Sequence, residues 1–407
     1  MTGIAVIGGG VIGCATAAWL AADGHAVTVY ERQPDDRHAS AGNAGLLAFP
    51  EITPLARPGV LGSVPRWLMD PLGPLALRWR DLPALTPWLL RFLAAARAGQ
   101  VERSTAALGG LMQGALADHQ DLAQRAGLSG HLRQTGAIDI YDSEASFRAA
   151  LPEWELRQRL GGHEFEALSP GQARALVPGL TGGFARAVLC RAYWMVDSPL
   201  SVLLGLRRSL GDRLVTGTVM AVEPGADDVT IRLQDGSSRA FDGVVVAGGV
   251  WSRQIVRGLG LKVQLETERG YNTTIPGASV TLPMPVVFAD HGFVASPLAD
   301  GLRIGGAVEL ASVDAPPNYA RARALRQKAR AYLPDIPETG GTEWMGRRPS
   351  TPDSLPVIGP HPRDPRIVFA FGHGHLGLTL SATTARLAAG ILSGTPAPAP
   401  FGIQRFQ

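Results

Sequence analysis

At 407 residues the chain is too long for one small core and reads as two domains. Lys plus Arg exceeds Asp plus Glu by 38 − 35 = 3, too slight a surplus to imply a nucleic-acid partner. Two cysteines, Cys14 and Cys190, stand far apart with no CxxC or metal-ligand spacing, which argues against a disulfide framework and against a metal site.

The chain opens on the apolar run Ile4 to Ile7, the pattern of a parallel strand buried on both faces. Gly8, Gly10 and Gly13 follow at dinucleotide-binding spacing. Gly8 permits the tight turn, Gly10 lets the backbone approach a pyrophosphate, and Gly13 lets the next helix pack close to the sheet. That helix is the small-residue stretch ending near Ala22, and its first turn, with Val11 and Ile12, presents N–H groups and a dipole that favour an anion. A second strand, Ala26 to Tyr30, leads to Glu31, eighteen residues after Gly13. An acid there suits a ribose hydroxyl pair and argues against a 2′-phosphorylated cofactor; Arg32 beside it joins the same site. Strand, glycines, helix, strand and acid arrive in order, which a mere glycine-rich turn does not explain. The N-terminus lacks a basic segment and its apolar stretch is used as a strand, so it does not read as a signal peptide. No run of about 18 uninterrupted apolar residues offers a membrane span, and the expectation is a cytoplasmic protein.

Further along, Ser40 to Leu47 is rich in small residues that let backbone approach something flat and large. Residues 61–97 mix Trp67, Trp79 and Trp88 with leucines and with Arg66, Arg78, Arg80, Arg91 and Arg97. This composition suits an interface where apolar bodies sink and charged tips stay wet. Prolines 65, 71, 74, 83 and 87 break any long amphipathic helix there, and tryptophans that simply pack the second domain are an equal reading. Helices are expected over 104–127 and 144–160, with a strand at 136–141 and a short helix opening at Ser169-Pro170. Residues 198–210 read as helix, 214–222 as strand, and 229–233 as one arm of a hairpin turning at Asp235-Gly236. A second buried strand, Gly243 to Val246, runs into Gly248 and Gly249. Residues 263–310 alternate as strands, and 321–333 is a basic surface helix. Strand 367–371, the glycine turn from Gly372 to Gly377 and a helix over 378–392 close the chain. Nucleotide-type elements thus sit at the start, middle and end. The reading is an α/β protein whose Rossmann-like cofactor domain is discontinuous (1–48, 163–258 and 336–407). A mixed-sheet α+β substrate domain fills 49–162 and 259–335.

Four stretches carry a family resemblance: the N-terminal fingerprint, Ser40 to Leu47, Glu343 to Gly359 (EWMGRRPSTPDSLPVIG) and Phe371 to Thr379 (FGHGHLGLT). Together they resemble the FAD-dependent amine and amino-acid oxidoreductases of the D-amino-acid oxidase type, over nearly the whole chain. The closest look is to bacterial D-amino-acid dehydrogenases, with glycine oxidase more distant. The resemblance implies noncovalent FAD and a D-amino acid or cyclic imino acid substrate, such as a D-proline or hydroxyproline derivative. A hydride would pass from substrate Cα to flavin N5, leaving an imine that water hydrolyses. The acceptor would be oxygen, or a quinone in a membrane chain reached by peripheral docking of residues 61–97 on the inner membrane face.

Residue by residue, the resemblance puts Arg348 at the carboxylate fork, with Arg347 read as a surface ion pair. Tyr271 falls on a strand lining the substrate pocket, and His373 is a second choice facing substrate. Asn43, Ala44, Gly45 and Leu46 pass near the flavin ring, and Ser40 bonds a phosphate or caps a helix. Val219 offers backbone to adenine, and Gly248 joins the cofactor site. Gly374, His375, Leu376, Gly377, Leu378 and Thr379 meet the flavin, where a helix N-terminus would stabilise negative charge. Arg-Gly-Tyr-Asn stands here where the dehydrogenases carry a Lys-Gly-Tyr-Ser type sequence, which leaves the substrate open. Two other functions stay open. One is a 2-hydroxy-acid dehydrogenase, for which His373 is the only candidate base. The other is a flavin-binding subunit of a larger dehydrogenase.

Overall fold

The apolar N-terminal run forms the middle of a six-stranded sheet in the computed structural model. The model describes residues 2–33, 38–58, 62, 70, 72–128, 130–278, 280 and 282–407. Across that sheet the strands run Leu214–Thr216, Ala26–Glu31, Gly3–Ile7, Gly243–Val246, Asp364–Phe371 and Val357–His361. The first five are parallel and the last is antiparallel. Alternation divides the sheet between two cores. Ile4 and Val6 pack under helices Val11–Ala22 and Ser381–Leu392, while Ala5 and Ile7 pack under helix Ser252–Gly258 and a small three-stranded sheet. Covering both faces is what makes the strands read as continuous apolar runs. Helix Val11–Ala22 approaches closely because its inner face is Gly13, Cys14, Ala17 and Ala18.

The second sheet has nine strands and a mixed pattern. From one edge it runs Thr342–Ser350, Glu266–Ile275, Gly301–Leu310, Phe293–Leu298, Val286–Phe288, Ala137–Tyr141, Arg186–Cys190 and Glu166–Leu168, with Leu75–Leu77 beside Gly301–Leu310. Here the sequence division needs correcting. Arg186–Cys190 and Glu166–Leu168 fall in the segment assigned to the cofactor domain, and so does Thr342–Ser350. All three hydrogen-bond into the second sheet. Conversely, helix Ala115–Arg125, from the segment assigned to the substrate domain, packs on Val11–Ala22 and the closing helix. Short strands announce their faces by alternation but not their partners.

Several boundaries move for local reasons. The helix expected over 104–127 is two, Ala98–Met112 and Ala115–Arg125, parted at Gly114 with φ 82°. The strand expected over 214–222 also divides. Its first part joins the six-stranded sheet, and Val219–Pro224 joins the three-stranded one. The closing helix starts at Ser381, after a single turn Gly374–Leu376. The basic helix, Ala320–Arg330, is not wholly at the surface: Arg321 is buried and donates to the Gly73 carbonyl at 2.7 Å. Trp67 lies outside the described residues. Trp88 packs inside, stacked on Phe92 and donating to the Ser350 carbonyl, whereas Trp79 is 66% exposed. Among the described residues no helix is long and apolar enough to cross a membrane.

Candidate active site

The C-terminal ends of the parallel strands open onto one continuous cavity of about 1310 Å³, whose other wall is the second sheet. Ligands of open α/β sheets bind at this end of the strands. The volume exceeds the roughly 300–1,000 Å³ of ordinary small-molecule pockets, so it has room for a dinucleotide and a second ligand. Every site residue picked from the sequence lines it except Gly13 and Gly45. Those two act from behind. A Cβ on Gly13 would sit 1.8 Å from the Gly8 carbonyl oxygen, and one on Gly45, at φ 77°, would sit 2.4 Å from a Leu298 methyl. Gly45 therefore shapes the loop from behind the cavity lining.

At the first end of the cavity the protein offers backbone. Gly8 has φ 110°, and a Cβ there would lie 2.6 Å from the Ala247 carbonyl oxygen. Gly10 is different: the nearest atom to an added Cβ is His38 Nδ1 at 3.8 Å, so this face of the turn is open to the cavity. No side chain caps helix Val11–Ala22, and its first turn carries no acid, so its N–H groups are left for a ligand. Glu31 is buried and accepts from Gly9 N at 2.6 Å and Gln33 N at 2.7 Å, bracing the turn as well as facing the cavity. The Arg32 guanidinium lies 3.5 Å over the Trp251 ring. Arg207, which no local motif marks, is buried beneath the turn and donates to the Gly9 carbonyl through Nη2 at 3.0 Å. Cys14 is inert, its thiol pushed up to about 12 by burial. The open glycine face, the uncapped helix and the buried acid fit the pyrophosphate and ribose of FAD.

The middle of the cavity is held from both sheets. Arg303 Nη1 donates to the Asn43 carbonyl at 2.7 Å, and Asn272 Nδ2 donates to the Gly42 carbonyl at 2.8 Å. The Asn43 carboxamide oxygen accepts from Gly45 N at 2.8 Å, closing a local turn. On the opposite side, Ala48 N donates to Thr379 Oγ1 at 3.0 Å. His373 does not serve as the substrate-facing base considered from the sequence. It is buried, its Nε2 lies 2.9 Å from Thr384 Oγ1 on the closing helix, its Nδ1 is enclosed without a partner among the described residues, and burial pulls its pKa down to about 3. So weak a base is poorly matched to taking a proton at neutral pH.

At the far end the protein offers side-chain charge. Arg348 and Glu268 sit directly opposite on Thr342–Ser350 and Glu266–Ile275. Arg348 Nη1 donates to Glu268 Oε1 at 2.9 Å, and Ser350 Oγ donates to Oε2 at 2.9 Å, with Glu268 only 3% exposed. The guanidinium lies over Gly270, where a Cβ would be 2.3 Å from Nη2, so glycine there leaves the guanidinium its place. The Nε–Nη2 edge of Arg348 has no hydrogen-bond partner among the described residues. A planar edge of this kind matches a carboxylate with two parallel bonds. Arg347 is no surface ion pair. It also lines the cavity, donating to the Val313 carbonyl at 2.8 Å, and burial lowers its pKa.

Tyr271 needs a correction too. Its ring lines the cavity, but its hydroxyl donates to Glu309 Oε2 at 2.5 Å and accepts from Asn318 N at 3.1 Å. Burial raises the phenol to about 12. With Arg269, fully buried and donating to the carbonyls of Ser312, Ala315 and Pro316, it anchors the loop after Leu310. The hydroxyl positions the pocket wall and is not free for a substrate carboxylate.

A glycine cradle for a dinucleotide, joined through one cavity to an arginine fork on a second sheet, is the architecture of a two-domain nucleotide-dependent oxidoreductase. A family model described as FAD dependent oxidoreductase matches residues 3–391. The chain belongs to this family: it is an enzyme, and its cofactor is FAD. It is 35% identical to a D-amino-acid oxidase of Bradyrhizobium diazoefficiens, covering 99% of this chain and 98% of that one. It is 31% identical to a D-amino acid dehydrogenase of Paramagnetospirillum magneticum, over 99% and 98%. Among solved structures, glycine oxidase from Geobacillus kaustophilus superposes with a TM-score of 0.77 at 22% identity, over 100% of this chain and 99% of that one, which shows a shared fold.

Proposed function

We propose that the enzyme oxidises an amino acid, of D configuration, or a cyclic imino acid such as a D-proline or hydroxyproline derivative. The observation that carries the reading is the unpartnered Nε–Nη2 edge of Arg348 in the cavity that also holds the cradle. The two relatives named above, each matched over nearly its whole length, are named for D-amino acids, which supports the enantiomer. Gly8, Gly10, Val11 and Ile12 would hold the pyrophosphate and Glu31 the ribose. Val219 and Gly248 would flank the adenine. Asn43 to Leu46 and Gly374 to Thr379, Gly45 apart, would bracket the ring. Bound FAD supplies the acceptor for the hydride leaving substrate Cα, and the resulting imine is hydrolysed by water. The chain's own part is orientation. Arg348 fixes the carboxylate, Glu268 and Gly270 fix Arg348, and the loop carried by Arg303 and Asn272 closes the opposite wall. An amine bound uncharged needs no strong base. A 2-hydroxy acid does, and His373 is unsuited, so the amino-acid reading is preferred.

Anaerobic bleaching of the flavin by a panel of D- and L-amino acids, hydroxyprolines and 2-hydroxy acids tests this. D-amino or imino acids should bleach it and 2-hydroxy acids should not. Bleaching by 2-hydroxy acids alone would reverse the assignment.

For the acceptor, helix Leu82–Ala95 separates cavity from exterior. Trp88 and Phe92 line the cavity, while Leu90 at 62% and nearby Trp79 at 66% are exposed. Arg80 and Arg91 flank them. This supports peripheral docking on an anionic membrane and delivery of electrons to a quinone. Flotation with anionic liposomes should carry the protein upward at low salt, and Trp79→Ser should weaken it. Protein that stays wholly soluble would favour oxygen.

A further inference from the structure

A third charged region lies on the cavity wall, outside the cradle and the Arg348 fork. On strand Ala137–Tyr141, Ile138 and Ile140 pack into one core while Ala137 and Tyr141 pack into the other. Asp139 takes the second face, toward helix Glu144–Gly161 and the cavity. It is 7% exposed, and its Oδ1 has no hydrogen-bond partner among the described residues. Burial, with Glu51 and Glu153 nearby, raises its pKa to about 8. An orphaned buried carboxyl is costly and calls for a partner.

The neighbouring cations are already used. Arg157 donates to both Glu51 oxygens at 2.8 and 2.9 Å and to Glu153 at 2.5 Å. Arg57 pairs with the other Glu153 oxygen at 3.0 Å. Tyr193 donates its hydroxyl to Glu51 at 2.7 Å. Three carboxyl groups thus face two guanidiniums: with Asp139 protonated the basin balances, and ionising Asp139 leaves one negative charge without a partner. The Nη groups of both guanidiniums are engaged and the unpartnered Nε of Arg157 is buried, whereas a cation entering the basin would pair with ionised Asp139. His375, on the closing turn, feels both Glu51 and Glu268, so basin and fork flank the same piece of cavity wall.

We propose that this basin is a subsite for a cationic substrate side chain, a guanidinium or alkylammonium, with Asp139 as its direct partner. The polarity is that of a basic amino acid, with carboxylate on Arg348 and the distal cation on Asp139. The inference rests on the amino-acid reading above and narrows it to a substrate class.

The test compares each cationic substrate with a neutral relative of like shape, D-arginine with D-citrulline and D-lysine with D-norleucine. Dissociation constants come from the concentration dependence of anaerobic flavin reduction. The wild-type enzyme should bind each cationic member at least about tenfold more tightly. Asp139→Asn, checked for flavin content and melting temperature, should erase most of that preference by weakening the cationic member more than the neutral one. Equal affinities within each wild-type pair, or a variant that weakens both members alike, would overturn the subsite. Reduction by neutral D-amino acids without any by cationic ones would overturn the subsite and leave the amino-acid reading standing. Reduction by none of them would overturn that reading, and the subsite with it.

Discussion

The two ends of the cavity recognise charge by opposite means. At the dinucleotide end the protein presents backbone, a glycine face open beside Gly10 and a helix terminus that no side chain caps. At the proposed substrate end it presents side chains already paired with one another, Arg348 with Glu268 and Arg157 with Glu51 and Glu153. Backbone recognition fixes residue identity, because only glycine leaves the space. Side-chain recognition fixes orientation instead, since Glu268 takes one nitrogen of Arg348 and leaves an edge for the ligand. The first design is rigid and suits a resident cofactor. The second can be retuned by changing one partner, which suits a site that chooses among substrates.

The largest effect should come from breaking the first design. Gly13→Ala sets a methyl against the Gly8 carbonyl, and purified protein should be colourless or insoluble. Gly10→Ala meets nothing closer than 3.8 Å within the protein, so it should fold yet lose at least about tenfold in FAD affinity, read by flavin fluorescence on dilution. If both variants bind FAD as the parent does, the cradle has been misplaced.

At the second end, the pH dependence of stability should expose Asp139. Its folded pKa of about 8 stands above its ordinary 3.8, so the folded state keeps a proton the unfolded state releases. That contribution is full below about pH 4 and is lost as pH rises to about 8. The melting temperature of Asp139→Asn relative to the parent should therefore climb across that interval. A constant difference would mean that Asp139 titrates normally.

The smallest effect expected is that of Tyr271→Phe. It removes a hydroxyl shared by Glu309 and Asn318, which should cost about 1–2 kcal/mol in denaturant unfolding. KM should change less than about threefold, since the hydroxyl does not face substrate. A large rise in KM at unchanged stability would restore the phenol to the substrate contacts.

How much was legible in the sequence follows the same divide. The cradle could be read because strand, glycines, helix and acid lie within residues 4–31 and each has a local reason. Arg348 could be read through the resemblance of its motif. What stayed hidden were partners distant in sequence. Arg207 reaches Gly9 across 198 positions and Arg303 reaches Asn43 across 260. Glu268 looks like any strand acid until register sets it against Arg348. The same blindness to pairing misassigned Arg186–Cys190, and it hid that the Tyr271 hydroxyl is taken by Glu309 and the Nε2 of His373 by Thr384.

Substrate orientation as proposed turns on the free edge of Arg348. Its most direct test is anaerobic flavin reduction by a D-amino acid in Arg348→Lys and Arg347→Lys beside the parent. Lysine offers a point charge in place of a fork, and losing a charge-assisted bond of about 1.5–3 kcal/mol should lower catalytic efficiency roughly ten- to hundredfold. Arg348→Lys should retain its flavin and show that loss, with Arg347→Lys affected less. An Arg348→Lys enzyme equal to the parent, beside an inactive Arg347→Lys, would contradict the assignment.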